Sequence, residues 1–449
     1  MGISRILAGV VVLALTFPAT ASPAQSSAAS VEVVKSVGVQ LPVSDFRAIE
    51  LDEARGRLYI AQGVGGGSPL IVTDLDGRLV SQVTAVTDLS DLTLSDDGDT
   101  LLVAQGFERV VALDLDTFTI AGKYQGIQGA CVVSVEPSGD KVIGTFVDCG
   151  IGSGGLLIWS APDTEPLVYT AGPNYNPVID ASPGAPGLLV AGDTGYSPVS
   201  TYVIDVSGKT PFIVARRDYT GSNLRDYAVS PDGTQVVEST GHPYEHHAYN
   251  LPDLSDAVVY PSGSYPDGAA WSGDSSTVVV GRGSSGSQPD IYFYDKASTV
   301  PKYVVDFHID DVMWSGTLLV NRAGTRAWVV SYDDVYQEVQ LLHSFGPGHP
   351  PNPPVTDLAV TARTGSGKDK ATAFITVSWS SPHGDSDFWW ITASSNGGPE
   401  REFWRGPMDA PSPYELTYSL PHGTTTFTVR YKDYWGWYPD GYATVIIRR

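Results

Sequence analysis

The stretch RDYAVSPDGTQVVEST, Arg225–Thr240, decides the fold. Tyr227 and Val229 alternate with polar neighbours, Ser230-Pro231-Asp232-Gly233 supplies a four-residue turn ending on a glycine, and Val236-Val237 resumes the apolar run. Two short strands joined through an Asp-Gly turn make a hairpin. The same plan recurs along the chain. With Ser230 taken as the residue that closes the first strand, equivalents fall at Asp52, Ser95, Glu136, Ser182, Ser272 and Asn321. Each is followed by a turn and a β-rich run such as Leu58-Tyr59-Ile60, Leu101-Leu102-Val103, Val278-Val279-Val280 or Ala327-Trp328-Val329.

The seven units repeat every 41 to 49 residues or about that, the period of propeller blades. Third strands are expected at Leu70–Leu75, Val110–Leu115, Leu156–Ser160, Thr201–Val206, His247–Leu251 and Ile291–Asp295, each with an outer strand after it. The seventh unit lacks an outer strand, while Val31–Val39 is a strand without a unit. This segment is therefore expected to complete blade seven and close the ring, which removes exposed sheet edges. The fold class is all-β: a seven-bladed β-propeller over residues 31–345, closed by the N-terminal strand, then a C-terminal β-sandwich. Leu58-Tyr59-Ile60-Ala61, Leu92-Thr93-Leu94-Ser95-Asp96-Asp97-Gly98 and Ala228-Val229-Ser230-Pro231-Asp232-Gly233 resemble the repeats of YVTN-type, lactonase-like seven-bladed propellers. That resemblance implies a fold and no catalytic residue, because the repeats are structural.

Residues 1–21, with Arg5, the apolar run Ile6–Thr16 and the small-residue ending at Ala21, read as a secretory signal peptide, and 22–30 as a flexible segment. The protein is expected to be secreted, extracellular and monomeric, with no transmembrane span. The formal charge of −23 falls almost wholly on residues 31–352, which disfavours nucleic acid and anionic lipid as partners. Residues 346–354, Gly-Pro-Gly-His-Pro-Pro-Asn-Pro-Pro, form a stiff linker. Residues 355–449 resemble a fibronectin type III module: Val377-Ser378-Trp379-Ser380-Ser381-Pro382 matches its second-strand Trp, and Leu420-Pro421-His422-Gly423-Thr424 the turn before its sixth strand. The Tyr that family places shortly after this turn is replaced by Thr426 and Phe427.

Cys131 and Cys149 flank one hairpin of the third unit at the same end, and a disulfide between them suits an exported chain. Long connections between second and third strands mark one face as the candidate ligand site. Its densest group is Gly241-His242-Pro243-Tyr244-Glu245-His246-His247. His242, Glu245 and His246 are the candidate acid–base residues; Tyr196, Arg225, Tyr244 and His247 are candidates for ligand contact, and the alternative is a solvated loop. Asp91, Asp226 and Asp267 start inner strands, whereas Ala48, Val132, Val178 and Thr317 hold the matching places. No cofactor is implied by the standard motifs; His242, His246, Asp91 and Asp226 would be the ligands of a Ca²⁺ or other divalent ion if one is held. Trp404, Trp435 and Trp437 in the terminal domain are candidates for stacking on sugars or for packing.

Two function classes follow. One is a noncatalytic recognition or surface-associated protein, the propeller binding an extracellular glycan, cell-surface component or protein and the sandwich acting as spacer or second binding module. The other is a hydrolase or lyase acting on a small ester, lactone or glycan. No Gly-x-Ser-x-Gly, His-Glu-x-x-His, phosphate-binding glycine loop or Cys/His zinc spacing is present.

Overall fold

The computed structural model describes residues 31–448 apart from residues 32, 37, 64–65, 107, 150–152, 285–287, 308–310, 334–339, 350–355, 368–369, 381–386, 408–413 and 434–441. The proposed signal peptide, residues 22–30, and Trp435 and Trp437 lie outside the described residues. The chain is all-β, built from short antiparallel strands in four-stranded sheets. Among the described residues no helix is long and apolar enough to cross a membrane.

Each repeat unit becomes one sheet whose strands pair in chain order. Sheet one is Phe46–Asp52, Arg57–Gln62, Pro69–Asp74 and Leu79–Thr87; sheet two is Leu89–Leu94, Thr100–Gln105, Arg109–Asp114 and Ile120–Gln125. Sheet three is Ala130–Ser138, Lys141–Asp148, Gly154–Trp159 and Leu167–Tyr169; sheet four is Pro177–Ala181, Leu188–Asp193, Ser200–Asp205 and Phe212–Asp218. Sheet five, which holds the opening stretch, is Ser222–Val229, Gln235–His242, His246–Asn250 and Asp256–Tyr260. Sheet six is Pro266–Trp271, Thr277–Arg282, Ile291–Asp295 and Tyr303–Asp306. In sheet seven Asp311–Met313 and Leu319–Val320 both pair with Ala327–Asp333, which pairs with Gln340–Phe345.

Burial explains the sequence pattern strand by strand. Second strands such as Thr100–Gln105 are buried along both faces and so read as continuous apolar runs, whereas the outer strand Phe212–Asp218 alternates exposed and half-buried residues. Consecutive sheets share apolar cores: Tyr59 and Leu70 of sheet one meet Leu92 and Leu101 of sheet two, and so on to Phe293 of sheet six with Val329 of sheet seven. Sheet seven in turn packs Trp328, Val330 and Leu342 on Ile49, Leu58 and Ile60 of sheet one. Burying one such side chain contributes about 1.5–3 kcal/mol. Hydrogen bonds follow the same circuit. The Trp328 indole and Arg326 guanidinium donate to Leu75 O at 2.8 and 2.9 Å, Arg326 also reaches Asp76 Oδ1 at 2.8 Å, and Arg322 N donates to Glu53 Oε2 at 2.7 Å.

The N-terminal segment departs from expectation. Instead of forming one strand on sheet seven, it divides: Val33–Lys35 adds a parallel fifth strand to sheet six, and Val39–Gln40 pairs antiparallel with Gln340–Phe345 of sheet seven. The crossing is tight. Ser36 N donates to Asp306 O at 2.9 Å on sheet six, while a Cβ at Gly38 would stand 2.4 Å from Leu341 Cβ on sheet seven. Only a residue without a side chain lets the segment pass between both edges.

The repeated marker residue has a physical role. Ser230 Oγ accepts from Gln235 N at 3.0 Å and donates to Asp232 Oδ1 at 2.6 Å, tying the turn to the start of the returning strand. Ser95 and Ser272 repeat the arrangement, and Asn321 Oδ1 takes the same place for Thr325 N and Arg326 N. Cys131 and Cys149 are disulfide-bonded with Cα atoms 5.3 Å apart, closing the hairpin of sheet three. A loop of that length adds about 3 kcal/mol in the chain-entropy account.

Beyond residue 355, Thr356–Thr364, Thr372–Ser380 and Tyr414–Ser419 form a three-stranded sheet. Arg401–Pro407, Asp387–Ser395, Thr424–Asp433 and Tyr442–Arg448 form a four-stranded one in that order. The two share one core, with Ile375 and Val377 meeting Ile391, Phe427 and Val429. Phe427 is fully buried edge-on to Tyr418, ring centroids 5.1 Å apart, so the residue in place of the family's Tyr serves the core.

Two glycines separate backbone strain from crowding. Gly98 and Gly233 both have positive φ, 73° and 68°, yet a Cβ at Gly98 would meet nothing within 4 Å whereas at Gly233 it would stand 2.6 Å from Gly184 C of sheet four. Gly98→Ala should cost about 1–2 kcal/mol from conformation alone. Gly233→Ala should cost about 1–3 kcal/mol more, because the turns of sheets four and five are forced apart. Urea denaturation midpoints measure both; equal losses would contradict the close approach.

Candidate functional site

The first strands of sheets one to six bring carboxyl groups to a shared interior space. Glu50, Asp91, Glu136, Asp180, Asp226 and Asp267 come one from each sheet, all but Asp267 half-buried, and each feels the charge or the backbone of a neighbouring sheet. Glu136, for example, lies within electrostatic reach of Asp180, Asp91, Glu50 and Asp226. Three of the six are latches between sheets. Asp91 Oδ2 accepts from Val135 N of sheet three at 2.9 Å, Asp180 Oδ2 from Val229 N of sheet five, and Asp226 Oδ2 from Ala269 N of sheet six at 3.0 Å. Asp267 Oδ1 instead accepts from Ser315 Oγ at 2.8 Å and lies 3.5 Å from Arg225 Nε.

Asp91 and Asp226 are thus held by the backbone of the next sheet, and Asp267 by the Ser315 and Arg225 side chains. Sequence comparison unit by unit missed Glu50, Glu136 and Asp180 because it matched one position only. These three stand two, zero and two residues before their unit markers, and Asp91 and Asp226 four before. Even offsets keep side chains on one face of a strand, which is the signal that would have found them. A β-bulge just before Asp91 and Asp226 is the local device that re-aims the strand there.

Burial raises these acids, with smaller contributions from neighbouring acids at Glu50, Glu136 and Asp226: Glu50 and Asp226 to about 8, Asp91 and Asp180 to about 7, Asp267 to about 6, and Glu136 well above the usual carboxylate range. Among the described residues no group of three His, Cys, Asp or Glu side chains is placed to hold a metal ion.

The His-rich connection of sheet five lies on the other candidate surface. Strand alternation sends His246 and His247 to opposite faces. His246 is fully buried, Nδ1 hydrogen-bonded to Ser262 Oγ at 2.7 Å, and burial lowers its pKa to about 3, so its ring is neutral. His242 is exposed and edge-on to Tyr244, centroids 5.3 Å apart. The two imidazoles therefore share no site with each other, and Glu245 sits between them half-buried. Tyr244 continues to Tyr265 at 5.6 Å, and Tyr196 pairs with Tyr175 at 5.1 Å.

Between sheets four and five lies a cleft of about 750 Å³, lined by Arg217, Tyr219, Thr220, His242, His247 and Tyr249 among others. Arg217 is fixed on three sides: its Nη2 pairs with Asp256 Oδ1 at 2.7 Å, its Nη1 donates to Leu254 O at 2.9 Å, and its guanidinium lies 4.6 Å over the Tyr249 ring. Behind Thr220 runs a buried chain of hydroxyls. Thr220 Oγ1 lies 3.2 Å from Thr201 Oγ1, which donates to Glu238 Oε2 at 2.8 Å and lies 2.9 Å from Tyr227 OH. Glu238 is 1% exposed, and burial raises it to about 7. Its Oε1 and the Nε2 of His247 are shielded from water and have no hydrogen-bond partner among the described residues.

Of the remaining candidates, Trp404 lies on the strand Arg401–Pro407. Compared with known proteins, the chain matches no family model and no curated protein.

The interior acids bind more protons folded than unfolded. Their raised values make that contribution to stability fully present below about pH 4, and it is lost as pH rises through the folded values of about 6 to 8. Thermal melts should show a higher midpoint at about pH 5.5 than at about pH 8.5, by several degrees. Asp226→Asn, which keeps an oxygen for Ala269 N, should flatten that slope. A midpoint that rises with pH across this range would contradict the shared interior space.

Proposed function

We propose that residues 31–345 form a seven-bladed β-propeller of the YVTN-type, lactonase-like kind and residues 355–449 a fibronectin type III-like β-sandwich. The protein is secreted, acts outside the cell as a monomer, and recognises a ligand without transforming it. The architectural reading is supported by cores shared between consecutive sheets, including sheet seven with sheet one. For the sandwich, support comes from two sheets of three and four strands around one core.

One observation carries recognition. Tyr219, 80% exposed, lines the cleft between sheets four and five, and next to the cleft's His242 stand the exposed rings of Tyr244, 5.3 Å away, and Tyr265, 5.6 Å beyond Tyr244. Large rings left in water beside a cleft mark a contact surface. The partner is an extracellular glycan, cell-surface component or protein, and the terminal sandwich is a spacer or second contact. No specific placement favours catalysis, since His242 and His246 face different surroundings.

The full chain should be offered to immobilised glycans and cell-surface proteins, and assayed in parallel on small esters and lactones. Tyr244→Ala is expected to weaken capture of the bound component about tenfold, one stacking contact, without moving the melting midpoint. Turnover of an ester or lactone that disappears in His242→Ala would replace recognition with hydrolysis.

A further inference from the structure

We propose that the cleft between sheets four and five binds a neutral saccharide, one ring stacked on Tyr219 and its hydroxyls hydrogen-bonded by Thr220, Ser222 and His247. This deepens the recognition reading and rests on it.

Tyr219 is the first reason. It is four-fifths exposed and its backbone is left-handed, φ 63°, a conformation that bulky side chains rarely adopt and that costs about 1–3 kcal/mol. Neither exposure nor strain helps the chain fold. Tyr244 and Tyr265 share both properties, with φ of 74° and 61°. Three tyrosines are held exposed in this way at a cost, and a ligand with a flat apolar face is what repays such an arrangement.

The polar lining is the second. Thr220 and Ser222 supply hydroxyls and His247 an imidazole to the wall of the cleft, and behind it the chain from Thr220 through Thr201 leads to Glu238 Oε2, while the other oxygen of that carboxyl has no partner among the described residues. Unpaired buried polar atoms cost stability unless a ligand satisfies them. A surface with aromatic faces and convergent donors and acceptors fits a molecule with the same two aspects. A pyranose ring has them: C–H groups on its face, hydroxyls around its edge.

Charge selects against the other amphipathic ligands. A cation would seek the tyrosine faces, but the Arg217 guanidinium already covers that of Tyr249. An anion would seek Arg217, but Asp256 neutralises that group at 2.7 Å and the chain carries −23 overall. The volume of about 750 Å³ exceeds a single sugar ring, which favours an oligosaccharide or a chain end.

The test is isothermal titration of the full chain with cello-, manno- and chito-oligosaccharides, with oligouronates and tetramethylammonium as the anionic and cationic probes. At least one neutral oligosaccharide should bind at about 1 mM or tighter. Tyr219→Ala should weaken it about tenfold or more with an unchanged melting midpoint, whereas Phe212→Ala, another exposed ring on the outer strand of sheet four, should leave it unchanged. Absence of neutral-saccharide binding, binding indifferent to Tyr219→Ala, or preference for a charged probe would each overturn the inference. If a protein or charged component still loses capture on Tyr219→Ala, the saccharide class falls and recognition stands. If no partner of any class responds to Tyr219→Ala or Tyr244→Ala, both fall.

Discussion

A carboxyl group on the first strand of one sheet accepting a backbone N–H from the first strand of the next is the interaction on which the arrangement of sheets depends. Asp91, Asp180 and Asp226 make it to Val135, Val229 and Ala269. Antiparallel strands satisfy their own backbone within a sheet, but nothing in strand pairing fixes one sheet against its neighbour. Apolar cores bring the sheets together without specifying register, since burial is not directional. The latch supplies direction, and gathering it at the first strands places several acids in a buried space, where burial keeps them protonated to unusually high pH, helped at Asp226 by the charges of Asp180 and Asp267.

The same geometry separates scaffold from function. The Ser-x-Asp turns repeat because Ser230, Ser95 and Ser272 each close a turn onto the returning strand. Where units differ, in the connections of sheets four to six, the molecule accepts strained tyrosines and unpaired buried polar atoms.

Much of the framework was legible because sheet packing writes itself into the chain: strands buried on both faces read as unbroken apolar runs, and each turn carries its glycine or asparagine. The Cys131–Cys149 disulfide followed from hairpin geometry, and it forms. The split of the N-terminal segment was not legible, since it depends on how closely the edges of sheets six and seven approach around Ser36 and Gly38. The His-rich stretch could not rank its own residues, although period two already puts His246 and His247 on opposite faces. Arg217, Tyr219 and Glu238 were invisible as a group because they come from different strands and connections of two sheets, and only packing makes them neighbours.

The central claim is that acids from consecutive sheets converge and latch one sheet to the next. The most direct measurement is a carboxyl-carbon NMR titration with Asp226 assigned through Asp226→Asn. Convergence predicts a midpoint of about 8 for Asp226. A midpoint near 4, the ordinary value for an aspartate in water, would show that the interior space is open to solvent and the acids stand apart.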